Sequence, residues 1–251
     1  MFAPNIWIEF LSLLLFVIIW VSYAVFARRA AKHRQSLSSV MVIYRIDWMK
    51  HLLQRENRIL DASLMGNIEK SISFFASTTL FVIAGALTAL TSARSIYEII
   101  QLVPWVWPQT MDIIQLKVVT IIVILIYAFF KFTWALRQFS FASVMIGAAP
   151  NHNDTRATEE MKRVFAVNAG KLIDQAGHNL NAGMRSYYFA LAVVGWFIHP
   201  LLFIAVTLIV VAILYRREFK SRSLRSLADG LEMSQYYLDN QELKFNKYGR
   251  K

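Results

Sequence analysis

Acidic and imidazole side chains fall at helical spacing in one polar stretch of the chain. Asp174 and His178 are four residues apart, so a helix would place them side by side, where they could share a metal ion or a proton. Two side chains are too few for a metal site on their own, and the sequence has no Cys that could add a ligand. We therefore predict that the chain holds no metal and no cofactor.

Sequence signatures of common catalytic sites are missing from the chain. It has no Gly-x-Ser-x-Gly nucleophile turn, no phosphate-binding loop, no GxGxxG and no HExxH. This favours a protein that is not an enzyme. A lipid-acting enzyme with dispersed catalytic residues stays open as a third hypothesis.

Charged residues crowd a predicted helix at 36–70, just before the second apolar segment. The cluster consists of Arg45, Asp47, Arg55, Glu56, Arg58 and Asp61. Oppositely charged members three residues apart can pair on a helix surface. We interpret the cluster as a solvated face with ion pairs, and a cytoplasmic vestibule or partner site is the alternative.

Small and polar residues recur on one side of the second apolar segment. They are Asn67, Ser71, Thr78, Gly85 and Ser92, of which the last four are spaced by seven. Such a face is typical of close packing between membrane helices. The lining of a pore or substrate pathway is the alternative. The two interpretations merge if this helix lies at the axis of a symmetric oligomer.

Two lysines interrupt the third apolar segment. Lys117 and Lys131 lie towards its opposite ends, so each ammonium group could snorkel to a membrane interface. A functional lysine inside the membrane is the alternative interpretation.

Apolar residues occur in blocks long enough to cross a membrane. They form 57% of the chain and charged residues only 17%, against about half and a quarter in soluble domains. The predicted crossings are 6–26, 71–93, 113–136, 186–198 and 200–215. We therefore predict one all-α integral membrane domain over 1–251, with four long apolar segments.

The last apolar run, 186–215, carries no formal charge and has His199 and Pro200 at its middle. Proline removes a hydrogen bond from a helix interior but suits the first helical position. The run therefore predicts a short hairpin that crosses twice. One long helix that crosses once is the alternative.

Basic residues favour the hairpin and an external N-terminus. Nine Lys and Arg lie in 27–70, six in 137–185 and nine in 216–251, but only one lies in 94–112. Five crossings place the three rich segments together on the cytoplasmic side. The net charge of +11 then indicates contact with anionic lipids at the cytoplasmic face of an inner membrane rather than with nucleic acid.

Three stretches outside the crossings are predicted to be cytoplasmic amphipathic helices. They are 36–70, 158–185 and 218–243. The first has only Gly66 as a breaker, so we expect it to continue into the membrane. The second follows a loop and begins near Thr158, with Glu159 and Glu160 at its positive end.

Four spaced motifs resemble one known family. They are YR-x-x-WM at 44–49, RENRI-x-D at 55–61, SFFASTTL at 73–80 and LYRREF-x-S at 214–221. Their order resembles the family catalogued as domain of unknown function 599, over nearly the whole chain. The resemblance implies a bacterial multi-pass membrane protein. It brings no established activity, and so no site residue.

These patterns predict an uncharacterised inner-membrane protein without catalytic activity. The first hypothesis is a homo-oligomeric conduit for ions or small solutes, because of the polar side of the second crossing. The alternative is an accessory or scaffolding subunit of a membrane complex, because so much of the chain forms cytoplasmic helices without evident chemistry.

Overall fold

The chain folds as a bundle of long helices in the computed structural model, which describes residues 6–33 and 35–231. The helices are α1 (Ile6–His33), α2 (Leu37–Gln54), α3 (Ile59–Thr91), α4 (Ala93–Gln101), α5 (Met111–Gly147), α6 (Glu159–Trp196) and α7 (Pro200–Phe219). Four of them, α1, α3, α5 and α7, are long and apolar enough to cross a membrane. The predicted all-α fold with four long apolar segments is confirmed.

A break divides the last apolar run where the sequence predicts it. α6 ends at Trp196, and Pro200 is the first residue of α7. His199 caps α7, because its Nδ1 atom accepts a hydrogen bond from the backbone N–H of Leu201 at 3.0 Å. The Trp196 ring stacks on Phe203, with 4.8 Å between the ring centroids. The two helices therefore pack against each other as a hairpin.

α6 is one uninterrupted helix of 38 residues, about 57 Å long at 1.5 Å per residue. The predicted cytoplasmic helix 158–185 and the predicted crossing 186–198 thus belong to one continuous helix. Thr158 begins it, since its side chain accepts the backbone N–H of Met161 at 3.2 Å. α5 packs along α6, α3 packs on α5, and α2 packs on the first half of α6.

The expectation that the helix at 36–70 continues unbroken into the membrane is wrong. The chain leaves the helix at residues 55–58, and α3 then passes through Gly66 without a break. The side chain of Asn57 accepts the backbone N–H of Ile59 at 2.9 Å. Arg58 donates to the carbonyl oxygens of Ala149 and Pro150. These local and tertiary hydrogen bonds stabilise a turn instead of another helical turn.

The segment between the second and third apolar segments contains the short helix α4, which the sequence patterns did not predict. The loop 102–110 follows it. The backbone N–H of Trp107 donates to the carbonyl of Ile198 at 2.9 Å, which ties this loop to the turn of the α6–α7 hairpin. The predicted helix 218–243 is interrupted, because residues 218–219 end α7, the chain leaves the helix at 220–221, and residues 222–231 are helical again. Residues 232–243 lie outside the described residues.

Candidate functional site

A buried ion pair joins α1 to α5 near the hairpin turn. The Nζ atom of Lys117 lies 3.3 Å from Oε1 of Glu9, and both side chains are almost completely buried. Lys117 therefore points into the bundle, and the expectation that it snorkels to an interface is wrong. The reason is its partner, because a carboxylate inside the bundle makes the interior favourable for an ammonium group.

Other polar groups complete this ion pair. Nζ of Lys117 also donates to Oε1 of Gln109 at 2.8 Å and to the carbonyl of Trp196 at 2.9 Å. The indole N–H of Trp196 donates to the second carboxylate oxygen of Glu9. An ammonium group has three donors, and here all three are used. This cluster is suited to hold α1, α5 and the hairpin together, and it leaves Lys117 no donor for a ligand.

An aromatic layer lies next to the ion pair in the same helix interface. The ring of Phe16 lies 4.9 Å from that of Phe203 and 5.9 Å from that of Phe189. Trp20 stacks on Phe189 at 5.6 Å and also lies 5.9 Å from the ring of Phe16. The three phenylalanines are completely buried or nearly so. The layer therefore separates the ion pair from the opposite end of the interface.

A basic cavity of about 550 Å³ lies at that opposite end, which is the predicted cytoplasmic end. Residues of α1, α2, α5, α6 and the end of α7 line it. Four of its lining residues are cations: Arg28, Arg29, Lys131 and Arg185. Within the described part of the chain, none of the four has a carboxylate within 4.0 Å. We call this space the basic cavity.

The remaining wall of the basic cavity is partly aromatic and partly polar. Trp20, Tyr127 and Phe189 form its apolar side. Nζ of Lys131 donates to the side-chain oxygen of Asn179 at 3.2 Å, which leaves other ammonium protons for a further acceptor. The cavity therefore combines free hydrogen-bond donors with apolar surface.

Asp174 and His178 lie on the wall of the basic cavity, and they lie side by side. Nε2 of His178 is 3.2 Å from Oδ2 of Asp174, and the guanidinium of Arg45 from α2 binds Oδ1. Burial raises the pKa of Asp174, but the hydrogen bonds and charges of His178 and Arg45 outweigh burial and hold this pKa below its ordinary value. The charged group next to Asp174 and His178 is the guanidinium of Arg45, and a guanidinium does not ligate metals.

A match to a protein-family model shows which family the chain belongs to. The model matches residues 11–223, and its description is "Protein of unknown function, DUF599". The chain belongs to the DUF599 family. Comparison with curated proteins gives no match, and neither does comparison with solved structures.

The six residues of the predicted charged cluster do not form one site in this DUF599 protein. Arg45 binds Asp174 of α6, whereas Asp47 pairs with Lys50 in an exposed position. Arg55 and the indole N–H of Trp48 both bind the buried carboxylate of Asp61. The contacts of Arg58 with the 149–150 carbonyls hold the turn before α3, and Glu56 is exposed. Half of the cluster, namely Arg55, Arg58 and Asp61, therefore fixes the α2–α3 turn in place.

The polar side of α3 faces away from the rest of the chain. Asn67, Ser71, Gly85 and Ser92 are exposed and Thr78 is half-buried. The opposite side of α3 packs inward, with Ile72, Ala76 and Thr79 buried. A Cβ atom added at Gly85 would have no heavy atom within 4 Å. The predicted helix-packing or pathway face is therefore not used for packing within the described chain.

In the sequence, the cations of the basic cavity served only to indicate which segments lie on the cytoplasmic side of the membrane. Arg28 and Arg29 end the first apolar segment, and Lys131 looked like a snorkelling side chain. One signal was available: Lys131 in α5 and Asn179 in α6 are both polar residues in positions that a helix bundle buries. The sequence alone does not show that these helices meet there.

Proposed function

We propose that this protein is a multi-pass inner-membrane protein that binds an anionic ligand in the basic cavity and does not convert it chemically. The observation that carries this proposal is the set of four cavity cations without a carboxylate partner in the described chain. Lys131 and Arg185 are half-buried, and Arg28 and Arg29 are exposed. Burial of a cation without a counter-ion costs free energy, and a bound anion would offset that cost.

The size and chemistry of the basic cavity support a ligand of small-molecule dimensions. Its volume of about 550 Å³ falls inside the range of about 300–1,000 Å³ usual for ligand sites. Arginine and lysine donate charge-assisted hydrogen bonds to carboxylate and phosphate oxygens. These properties favour an anion with an apolar part over an inorganic ion.

The protonatable side chains beside the basic cavity support binding rather than catalysis. Asp174 is held by Arg45 and His178, so its carboxylate is engaged by an ion pair with Arg45 and by the imidazole of His178. A carboxyl with a lowered pKa is a weak base. The geometry therefore offers cations to a ligand but no strong general base.

Thermal unfolding of delipidated protein in mild detergent tests this function. The probes are inorganic phosphate, glycerol phosphate and phosphatidylglycerol, with phosphatidylcholine as the uncharged comparison. At least one anionic probe should raise the unfolding midpoint, and a probe at about 100 times its Kd adds about 2.7 kcal/mol of stability. The effect should be lost in the double variant Lys131→Gln/Arg185→Gln.

The matched control for that variant is Arg216→Gln/Arg225→Gln. It removes two exposed cations at the same end of the bundle, and neither lines the basic cavity. The control should respond to the probes as the wild type does. The proposal is wrong if no anionic probe stabilises the protein, or if both double variants respond equally.

A homo-oligomeric conduit is the second candidate, and the outward polar side of α3 favours it. If Thr78 lines a pathway between copies, reconstituted protein should show solute flux that changes on Thr78→Leu. Tight proteoliposomes that contain monomers would contradict this candidate. The alternative of an accessory subunit loses one of its reasons, because α2 buries Met49, Leu52 and Leu53 in the same hydrophobic core as α6.

A further inference from the structure

We propose that the anionic ligand is the phosphate headgroup of a membrane phospholipid, which enters the basic cavity from the side while its acyl chains lie along α5. This inference rests on the proposed function, since it names the class of the same ligand. The shared chemistry is a phosphate group, and the alternative source is a water-soluble phosphate compound.

The first argument is that the basic cavity lies beside a groove on the outer surface of α5, with which it shares two lining residues. Tyr127 and Lys131 line both spaces. The groove is also lined by Phe130, which is 64% exposed and lies next to Lys131 on α5. Trp134 and Arg137 line its other end, within two turns of Lys131 towards the predicted cytoplasmic end of α5. The ammonium of Lys131 therefore lies between the basic cavity and the lipid-facing side of α5. A phospholipid whose phosphate binds Lys131 would place its acyl chains past Phe130 and Tyr127, towards the middle of the membrane, whereas a soluble phosphate compound would make no use of this apolar surface.

The second argument is the depth of the basic cavity in the predicted membrane. Arg28 follows the first apolar segment directly, and Lys131 belongs to the last part of the third. Lysine, arginine and aromatic side chains are the residues that meet lipid headgroups at a membrane interface. Basic pockets between membrane helices on the cytoplasmic side are known to hold anionic headgroups. The cavity therefore lies at the level where phosphates of the bilayer are concentrated.

The third argument is the distribution of charge along the path. Arg28, Lys131 and Arg185 line the cavity, and no carboxylate of the described chain pairs with any of them. Asp174 is the nearest acid on α6, and Arg45 and His178 hold it. Glu218 of α7 is the second acid that lines the cavity, and it accepts the backbone N–H of Ser38 at 3.1 Å. Four cations therefore face two acids. The cavity keeps a positive excess that suits a monoanionic or dianionic phosphate.

Lipid retention measured by native mass spectrometry tests the inference. Full-length protein is delipidated in mild detergent and offered phosphatidylglycerol or phosphatidylcholine with identical acyl chains. We expect selective retention of phosphatidylglycerol, and glycerol phosphate at high excess should not displace it. The double variant Lys131→Gln/Arg185→Gln should retain it about thirtyfold less well, the effect of two cations at an anionic lipid surface.

The groove is tested separately through the length of the acyl chain. The variant Phe130→Ala removes apolar surface at an exposed position beside Lys131 and should fold. It should lose the preference for long-chain over short-chain phosphatidylglycerol while keeping the preference for phosphatidylglycerol over phosphatidylcholine. An unchanged preference for long chains would overturn the placement of the acyl chains. Arg28→Gln/Arg29→Gln, at exposed positions, repeats the headgroup test if the Lys131/Arg185 variant does not fold.

The outcomes separate this inference from the proposed function. If glycerol phosphate binds as tightly as phosphatidylglycerol, the ligand is a soluble phosphate compound, and the lipid inference fails while the proposed function stands. Equal retention of phosphatidylcholine by wild-type protein also overturns the inference. If no anionic probe binds through the cavity cations, the proposed function fails together with it.

Discussion

Nζ of Lys117 and Oε1 of Glu9 lie 3.3 Å apart inside the bundle, and 108 positions of sequence separate the two residues. The indole of Trp196 completes the arrangement, since its ring faces the ammonium at 5.3 Å and its N–H binds the carboxylate. Cation, anion and aromatic ring come from α5, α1 and α6. The pair therefore fixes how three helices meet.

Removal of one partner of this ion pair should lower the free energy of unfolding more than removal of both partners does. Lys117→Met or Glu9→Gln leaves an unpaired polar group in a dry interior and should lower the free energy of unfolding by about 3–5 kcal/mol. The double variant Glu9→Leu/Lys117→Met should be more stable than the sum of the single effects predicts. Unfolding in mixed detergent micelles measures all three. Arg94→Gln with Glu98→Gln, an exposed pair, is the control and should show no coupling.

Gly170→Ala should destabilise the packing of α2 against α6. A Cβ atom at Gly170 would lie 2.8 Å from Cα and 2.9 Å from N of Ile46, and backbone atoms cannot move aside cheaply. We expect a loss of about 1–3 kcal/mol from such overpacking. Gly66→Ala is the matched control, since no atom lies within 4 Å of its added Cβ. Gly66→Ala should gain about 0.5–1 kcal/mol in helix stability. Equal effects of both changes on the unfolding midpoint would refute the close approach.

Asp174→Asn should flatten the dependence of stability on pH in acid. Arg45 and His178 hold the pKa of Asp174 below its ordinary value of 3.8, against the effect of burial. Because the folded carboxyl has the lower pKa, its contribution to stability is present above about pH 4 and is lost as pH falls through the folded pKa. Unfolding midpoints measured from neutral to acid pH should show a smaller decline in Asp174→Asn than in the wild type.

The cause of that shift can be tested with Arg45→Met. This change removes the guanidinium that binds Asp174, so the pKa of the carboxyl rises and the loss of stability should begin at a higher pH. A decline identical in wild type, Arg45→Met and Asp174→Asn would show that Asp174 does not control acid unfolding.

Gly85→Leu should dissociate an oligomer without unfolding the chain, if copies meet along the polar side of α3. Gly85 has no neighbour within 4 Å, so one chain accommodates the larger side chain. Ala84→Leu is the control, because Ala84 is also exposed but lies about 100° round the helix from Gly85. Native mass in mild detergent should fall to that of the monomer only for Gly85→Leu. A wild-type protein that is already monomeric would exclude this interface.

A reporter that is active only outside the cytoplasm should be active when inserted between Arg94 and Asp112, and silent when fused after Lys251. The physical reason is the asymmetry of Lys and Arg between the loops together with the break at Pro200. Trp105 is a suitable insertion point, because it is exposed in the loop 102–110. Activity of the C-terminal fusion outside the cytoplasm would instead mean an even number of crossings.

The helices were predictable because their signals are local. The absence of charge in 186–215, the position of Pro200 and the cap at Thr158 each act within a few residues. The turn at 55–58 was not predictable in this way, because Arg58 binds carbonyls about 90 positions away. The basic cavity was missed for the same reason. Lys131 and Asn179 become neighbours only when α5 packs along α6.

The separation of Glu9 and Lys117 along the chain has a consequence for biogenesis. Glu9 is translated first, and Lys117 is added to the chain 108 positions later. At ordinary rates of synthesis this interval is roughly 5–20 s. Throughout that time the newly made α1 carries a carboxylate with no counter-ion. The insertion machinery must therefore accommodate an unfinished first helix until α5 arrives.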